Sequence, residues 1–396
     1  MNRIAKIGGL FALGVSLVLG FALALAPGIA DGLFNRVLAA DLPEPSAAAV
    51  GTHARAFIVD LHADPLLWKR DLTVRNTRGH IDFPRLREGG VNLQVFSAVT
   101  KSPKNQNYRR TSGDTDALTK LFIGSLAPIE TWSDLEARAH YQAAKLEAFV
   151  EQTNSVLVLQ ASDLERLQSS AEQRAPIGAL LAVEGIHCLQ GDLSAIDRLY
   201  ESGYRMFGLA HFFDNEFSGS AHGVEKYGLT ALGKKALQRF EELEVIVDLA
   251  HSSEQAFDDV MARATRPIVV SHTGVRGTCE SPRNLTDRQL EALRKNGGLV
   301  GIGYWKGAVC GVLPSDFAKA ARYTADRIGV EHVALGSDFD GAVTTAFDAS
   351  RLVVVTHALL EAGFSESETL DILGGNARRF LERWLPKLPK LPKSTW

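Results

Sequence analysis

The stretch "AFIVDLHADPLLW", Ala56 to Trp68, is an apolar, β-branched run that ends in His62 and Asp64, two positions apart and followed at once by Pro65. Alternate residues of a strand share a face, so an imidazole and a carboxylate leave the end of a buried-looking segment in one direction. A polar strand end entering solvent is the simplest account, and half of a metal site is the more specific one. The rest of the chain separates the two.

From Ala56 onward, short apolar runs alternate with longer amphipathic stretches, the pattern of βα units around a parallel sheet. Eight such runs are expected as strands: Ala56–Leu61, Val91–Ser97, Gly178–Glu184, Arg205–Ala210, Val245–Ala250, Pro267–Ser271, Gly298–Tyr304 and His332–Gly336. Helical patterns lie between most of them. In "LTDRQLEALRKNG", Thr286 and Gln289 fit a capping box and Gly297 sits where the helix should stop. Eight βα units predict an α/β fold, a (β/α)8 TIM-type barrel over residues 55–396. Thr100 to Ile177 is expected as a helical insertion after strand two, with helices near Leu118–Leu126 and Asp134–Gln152 and an extra strand at Val156–Gln160.

The unusual polar residues fall where such a barrel carries its chemistry. His62 and Asp64 follow strand one, Glu184 ends strand three, and His211, His251 and His272 follow strands four, five and six. Asp338 follows strand eight in "VALGSDFDG". Active sites of these barrels lie at the C-terminal ends of the strands. One histidine there is usually structural, and one aspartate is usually a helix cap. Asp60 and Asp248 read as such structural cases, facing away from the group. The set is what matters: four of the chain's eleven histidines end strands that converge on one rim.

Neutral imidazoles and carboxylates suit zinc and similar divalent ions, and these are too many ligands for one tetrahedral ion. A carboxylate can bridge two. A pair of ions about 3.5–4 Å apart would hold a hydroxide that is nucleophilic at neutral pH.

Composition closes off other functions. Hydrophobic residues make up 45% of the 396 and charged residues 22%, with a net charge of −3 and no basic block. That is a globular composition without the positive footprint of a nucleic-acid binder. Cys188, Cys279 and Cys310 are too few and scattered for a disulfide framework, and free buried thiols are expected. At the N-terminus, Arg3 and Lys6 precede the uncharged run Gly8 to Ala26. Residues 1–26 therefore read as an export signal or anchor, with a possible transmembrane helix over 8–26. Small residues such as Ala22, Ala24 and Ala26 leave cleavage open. The positive flank should stay cytoplasmic, which places the rest of the chain outside the cytoplasmic membrane, periplasmic or at the cell surface. Residues 27–54 carry no sustained periodicity and read as a linker.

The order "DLHADPLLW", "VEG", "LAHFFDNEFSGSAHG", "IVDLAHSS", "VVSHTGVRGTCESPRNLTD" and "ALGSDFDG" resembles the membrane dipeptidase (renal dipeptidase) family over about Phe57 to Phe380. The resemblance implies a (β/α)8 barrel with two zinc ions that hydrolyses dipeptides, including those with a C-terminal D-residue. By motif, His62 and Asp64 would bind the first zinc, Glu184 would bridge both, and His251 and His272 would bind the second. His211 would contact substrate and stabilise the tetrahedral intermediate. Arg283 would grip the substrate carboxylate, and Asp338 would carry the proton from water to the leaving amine. The likeness also suggests a homodimer. Gly185 is followed by Ile186, His187 and Cys188 instead of a further glycine, and "GIGYWKG" puts Tyr304 and Trp305 at the rim, so substrate preference departs from the pattern. His187 and His222 lie near enough in sequence to support the site. Two other readings are weighed. An amidohydrolase-type deacylase or lactonase usually carries His-x-His after strand one and a bridging lysine after strand four, where this chain has His-x-Asp and His211. An inactive membrane-tethered binding module would have lost a ligand, and none is missing.

Overall fold

The eight expected strands form, and they close on one another. The structure, a computed structural model, describes residues 25–167 and 175–388. Its barrel strands are β1 (Ile58–Ala63), β2 (Val91–Val99), β3 (Gly178–Glu184), β4 (Tyr204–Gly208), β5 (Ile246–Asp248), β6 (Val269–Thr273), β7 (Leu299–Ile302) and β8 (Val333–Leu335). They run parallel in the order β2-β1-β8-β7-β6-β5-β4-β3, and the pairing of β2 with β3 from Leu93–Gly178 to Val99–Glu184 closes the ring. Every residue of these strands is buried, which is why they read as unbroken apolar runs.

One buried cluster draws on all eight strands, through Val59, Leu61, Leu93, Val95, Leu180, Ala182, Met206, Ile246, Val269, Leu299 and Ala334. It fills the barrel. Phe380 and Leu381 of the helix Asn376–Trp384 join it beside Phe57 and close the end opposite the site. Along β3, the step of two from Leu180 to Ala182 leads to Glu184, so the packing that seats the leucine also aims the carboxylate. The insertion carries helices Leu118–Gly124 and Leu135–Gln152 and a short strand, Val156–Leu157, that pairs with the start of β3 outside the ring. The helix Asp287–Asn296 has its Thr286–Gln289 capping box, and Gly297 ends it at φ 78°.

The expected linker is instead part of the folded body. Residues 25–34 are helical, Arg36–Val37 pairs in parallel with Thr344–Thr345, and the helix Ala47–Arg55 packs beside the helix Val353–Glu361. Asp31 is buried and lies 3.2 Å from Arg70 Nε and 3.5 Å from Arg78 Nε. Arg70, itself buried, also pairs with Asp340. One aspartate paired with two arginines and a two-residue backbone ladder leave no apolar period in the sequence, which is why the segment reads as a tether. The span expected over Gly8–Ala26 lies outside the described residues except for its last two positions. Among the described residues no helix is long and apolar enough to cross a membrane.

The cysteines give a second correction. Cys279 and Cys310 form a disulfide, Cα to Cα 5.3 Å, and Cys188 is free and buried. The two halves are 31 residues apart, but they sit on the loops after β6 and β7, which are neighbours in the ring.

Candidate metal centre and active site

The Glu184 carboxylate lies at the centre of the C-terminal rim. Its Oε1 is 3.0 Å from His251 Nε2, 3.2 Å from His272 Nε2 and 3.6 Å from His62 Nε2. Its Oε2 is 3.4 Å from His211 Nε2, and Asp64 Oδ2 is 3.4 Å from His62 Nε2. The rings of His62 and His272 stack at 3.7 Å. Every one of these residues is buried.

The hydrogen bonds behind the rings decide what faces inward. Ser271 Oγ donates to Asp248 Oδ2 at 2.5 Å, which leaves its oxygen to accept from His272 Nδ1 at 2.9 Å and His62 Nδ1 at 3.3 Å. In the neutral rings the hydrogen is therefore on Nδ1, and both Nε2 lone pairs point at Glu184. Lone pairs and a carboxylate oxygen at such distances repel unless positive charge lies among them. The pKa shifts express the same demand. Burial disfavours an imidazolium at His62, yet Asp64 and Glu184 outweigh it and push its pKa up to about 10. Burial pushes His211, His251 and His272 down and Glu184 up, Asp64 adding to the latter. His62 Nε2 and Asp64 Oδ1 are buried without a hydrogen-bond partner. Three sets of ligand atoms lie within 4.8 Å of one another: His62–Asp64–Glu184, Glu184–His211–His251 and His62–Asp248–His272. Nitrogen and oxygen donors in this number fit borderline divalent metal ions.

The remaining site residues stand around this cluster. Asp338 is held in the left-handed region, φ 58°, with its N–H donating to His62 O at 3.1 Å. Such a conformation costs a non-glycine residue about 1–3 kcal/mol and is kept where the surroundings enforce it. A Cβ on Gly341 would meet Asp338 Oδ1 at 2.0 Å and Asp64 Oδ2 at 2.8 Å, so the glycine lets both carboxylates share that corner. Arg283 donates through one terminal nitrogen to His272 O and stands 5.6 Å over the Trp305 ring. Its Nε is buried without a partner. Asp64, Glu184, His211, His251, Arg283 and Asp338 all open onto one cavity of about 1520 Å3.

Several expectations change in detail. Asp248 does not face away: it holds the serine that orients two histidines. Asp60 accepts from Ser337 N and Oγ, beside Asp338. Tyr304 is buried against Phe317, Phe339 and Phe347, and only Trp305 reaches the rim cavity. His187 lies against Gly185 but does not hydrogen-bond the Glu184 cluster: its Nε2 is 2.9 Å from Thr100 Oγ1 and its Nδ1 has no hydrogen-bond partner. Sequence reasoning missed Tyr108, whose hydroxyl accepts from Trp305 Nε1 at 2.9 Å, and Phe34 and Leu38, which line the cavity from the N-terminal segment. None carries a local signal, because each reaches the site through a long-range contact.

A family model described as membrane dipeptidase (peptidase family M19) matches residues 47–384. The chain belongs to this family. It is a metallo-dipeptidase, a hydrolase acting on peptide bonds. It is 27% identical over 319 residues to Dipeptidase verJ of Clonostachys rogersoniana, covering 78% of each chain. It is 28% identical over 343 residues to mouse (Mus musculus) Dipeptidase 3, covering 81% of this chain and 63% of that one. In structure it is similar to a metallo peptidase from Rhodobacter sphaeroides liganded with a phosphinate mimic of L-Ala-D-Ala, at TM-score 0.69, 23% identity, and coverage of 83% and 99% of the two chains. It is also similar to the probable dipeptidase PvdM from Pseudomonas aeruginosa, at TM-score 0.71, 18% identity, and coverage of 85% and 97%. The M19 match covers every strand of the barrel and every candidate ligand.

Proposed function

We propose that this family member is an extracytoplasmic zinc dipeptidase that binds two Zn2+ ions across Glu184. His62 and Asp64 hold one ion, and His251 and His272 the other. The observation that carries the reading is the convergence of imidazole nitrogens on one carboxylate oxygen, 3.0, 3.2 and 3.6 Å from Oε1. Zinc bound there would polarise the scissile carbonyl and lower the pKa of a water.

The protein's own groups do the rest. Arg283, with an unpartnered buried Nε, binds the C-terminal carboxylate of a dipeptide and thereby sets the peptide bond over Glu184. His211 stands on the opposite oxygen of Glu184 and donates to the oxyanion as the carbonyl becomes tetrahedral. Asp338 takes a proton from the attacking water and returns it to the amine that leaves. The Rhodobacter protein's ligand mimics L-Ala-D-Ala, which supports dipeptides with a C-terminal D-residue as substrates here.

Export is supported by the Cys279–Cys310 disulfide, a bond that persists in oxidising compartments, and by the apolar run Gly8–Ala26. The test is metal analysis of the purified full chain together with hydrolysis of a panel of L,L- and L,D-dipeptides and N-acyl amino acids. Two zinc ions per chain and chelator-sensitive cleavage of dipeptides are expected. A preference for N-acyl amino acids would turn the assignment towards a deacylase.

A further inference from the structure

His222 lies outside the candidate ligand set, yet it is fully buried and both of its ring nitrogens are engaged. Its Nδ1 is 3.0 Å from the backbone carbonyl oxygen of Tyr108. A carbonyl can only accept, so Nδ1 carries the hydrogen and, in the neutral ring, Nε2 is a lone pair. That Nε2 is 3.1 Å from His251 Nδ1, which must therefore be the donor. The second nitrogen of His251 is then a lone pair, 3.0 Å from Glu184 Oε1. A chain of two hydrogen bonds thus fixes which face of His251 is basic. The His222 ring is stacked on Phe212 at 4.7 Å, and the residue's backbone is pinned as well, its N–H donating to Ser220 Oγ at 3.1 Å and its carbonyl accepting from Thr111 N at 2.7 Å.

We propose that His222 is a positioning residue: it locks His251 in the metal-binding tautomer and ties that ligand to the loop bearing Tyr108. This rests on His251 being a ligand of the second ion. His62 and His272 receive the same service from Ser271, backed by Asp248, while His251 has an imidazole in that place. The Tyr108 hydroxyl is on the cavity wall, bonded to Trp305, so the relay joins the wall that meets substrate to one ion and bypasses His62 and Asp64. A residue that only filled space there would need no acceptor at Nε2. Partners of this kind are worth about 10–100-fold in metal affinity.

The test is zinc binding by the full chain, read by metal content and by competition with a chromophoric chelator. His222→Leu is expected to hold one ion as the parent does and the other about 10–100-fold more weakly. His222→Gln, whose amide oxygen can accept from Nδ1, should recover most of the loss. His222→Asn, one methylene shorter, should not. If His222→Leu does not fold, the Gln and Asn pair carries the comparison. Melting of the metal-free proteins in chelator separates packing from positioning: a loss confined to the metal-free melting temperature, with both affinities unchanged, overturns the proposal. So does equal weakening of both ions. A parent chain that binds fewer than two ions would instead overturn the two-zinc reading on which it rests.

Discussion

Asp338 is the residue whose removal should separate chemistry from metal binding. It touches the Asp64 corner through Gly341, but the Glu184 cluster is complete without it. Asp338→Asn keeps the shape and loses the proton relay, so kcat should fall about 10^2–10^4-fold. Metal content, measured on the same sample, should stay at the parent level, and undiminished turnover would remove Asp338 from the mechanism. Arg283→Lys is a different probe. Lysine keeps the charge and loses the fork, so KM for dipeptides should rise about 10–100-fold with kcat less affected, the scale of a charge-assisted hydrogen bond. Steady-state kinetics on a dipeptide ester, which has no carboxylate to grip, should show little difference between the two proteins. Asp338 was legible because it ends an apolar run on the shared rim, whereas Arg283 lies in the loop beyond β6 and was reached only through the family resemblance. Asp248 and Tyr108 were not legible, since one works through Ser271 and the other through Trp305, from segments far away in sequence.

At the scale of elements, the loops after β6 and β7 are clasped by the disulfide, and they carry Arg283 and Trp305. Closing a loop of 31 residues is worth about 3–4 kcal/mol in the chain-entropy account. The double variant Cys279→Ser, Cys310→Ser should lose about that much in urea unfolding, and a loss under about 1 kcal/mol would mean that the clasp is incidental. The N-terminal segment is held by Asp31 in the same way that a latch holds a panel. Asp31→Ala leaves Asp340 as the carboxylate paired with Arg70, beside the carbonyls of Arg78 and Ile81, and should cost about 1–3 kcal/mol. Because Phe34 and Leu38 line the cavity, KM should shift along with stability. The barrel strands were readable from the sequence because burial on both faces makes them apolar throughout. The Asp31 latch was not, since a single carboxylate in a Pro/Ala-rich stretch does not announce a buried arginine forty positions later.

For the molecule as a whole, the acid limb of stability should carry the mark of Asp340. Burial alone would raise its carboxyl, but Arg70 and His80 override that and hold it at about 2. A carboxylate depressed in the folded state stabilises the fold above its unfolded pKa near 4, and this is lost as pH falls towards 2. The contribution at neutral pH is about 2 kcal/mol. Urea midpoints between pH 6 and pH 2.5 should therefore fall more steeply for the parent than for Asp340→Asn, and parallel curves would count against it. The same arginine faces Asp31, whose carboxyl burial pushes up, so one guanidinium serves two acids unequally.

The latch also governs where the gene can be cut. A soluble version begun near residue 55, where the sequence alone places the start of the barrel, would discard Asp31, Phe34 and Leu38. Arg70 would keep a single counter-charge in the interior, and the catalytic cavity would lose one side. Such a protein would be a poor stand-in for the natural one in crystallisation or inhibitor screening, however well it expressed. Any truncation meant to preserve the enzyme has to keep the segment that carries Ala26, Asp31, Phe34 and Leu38.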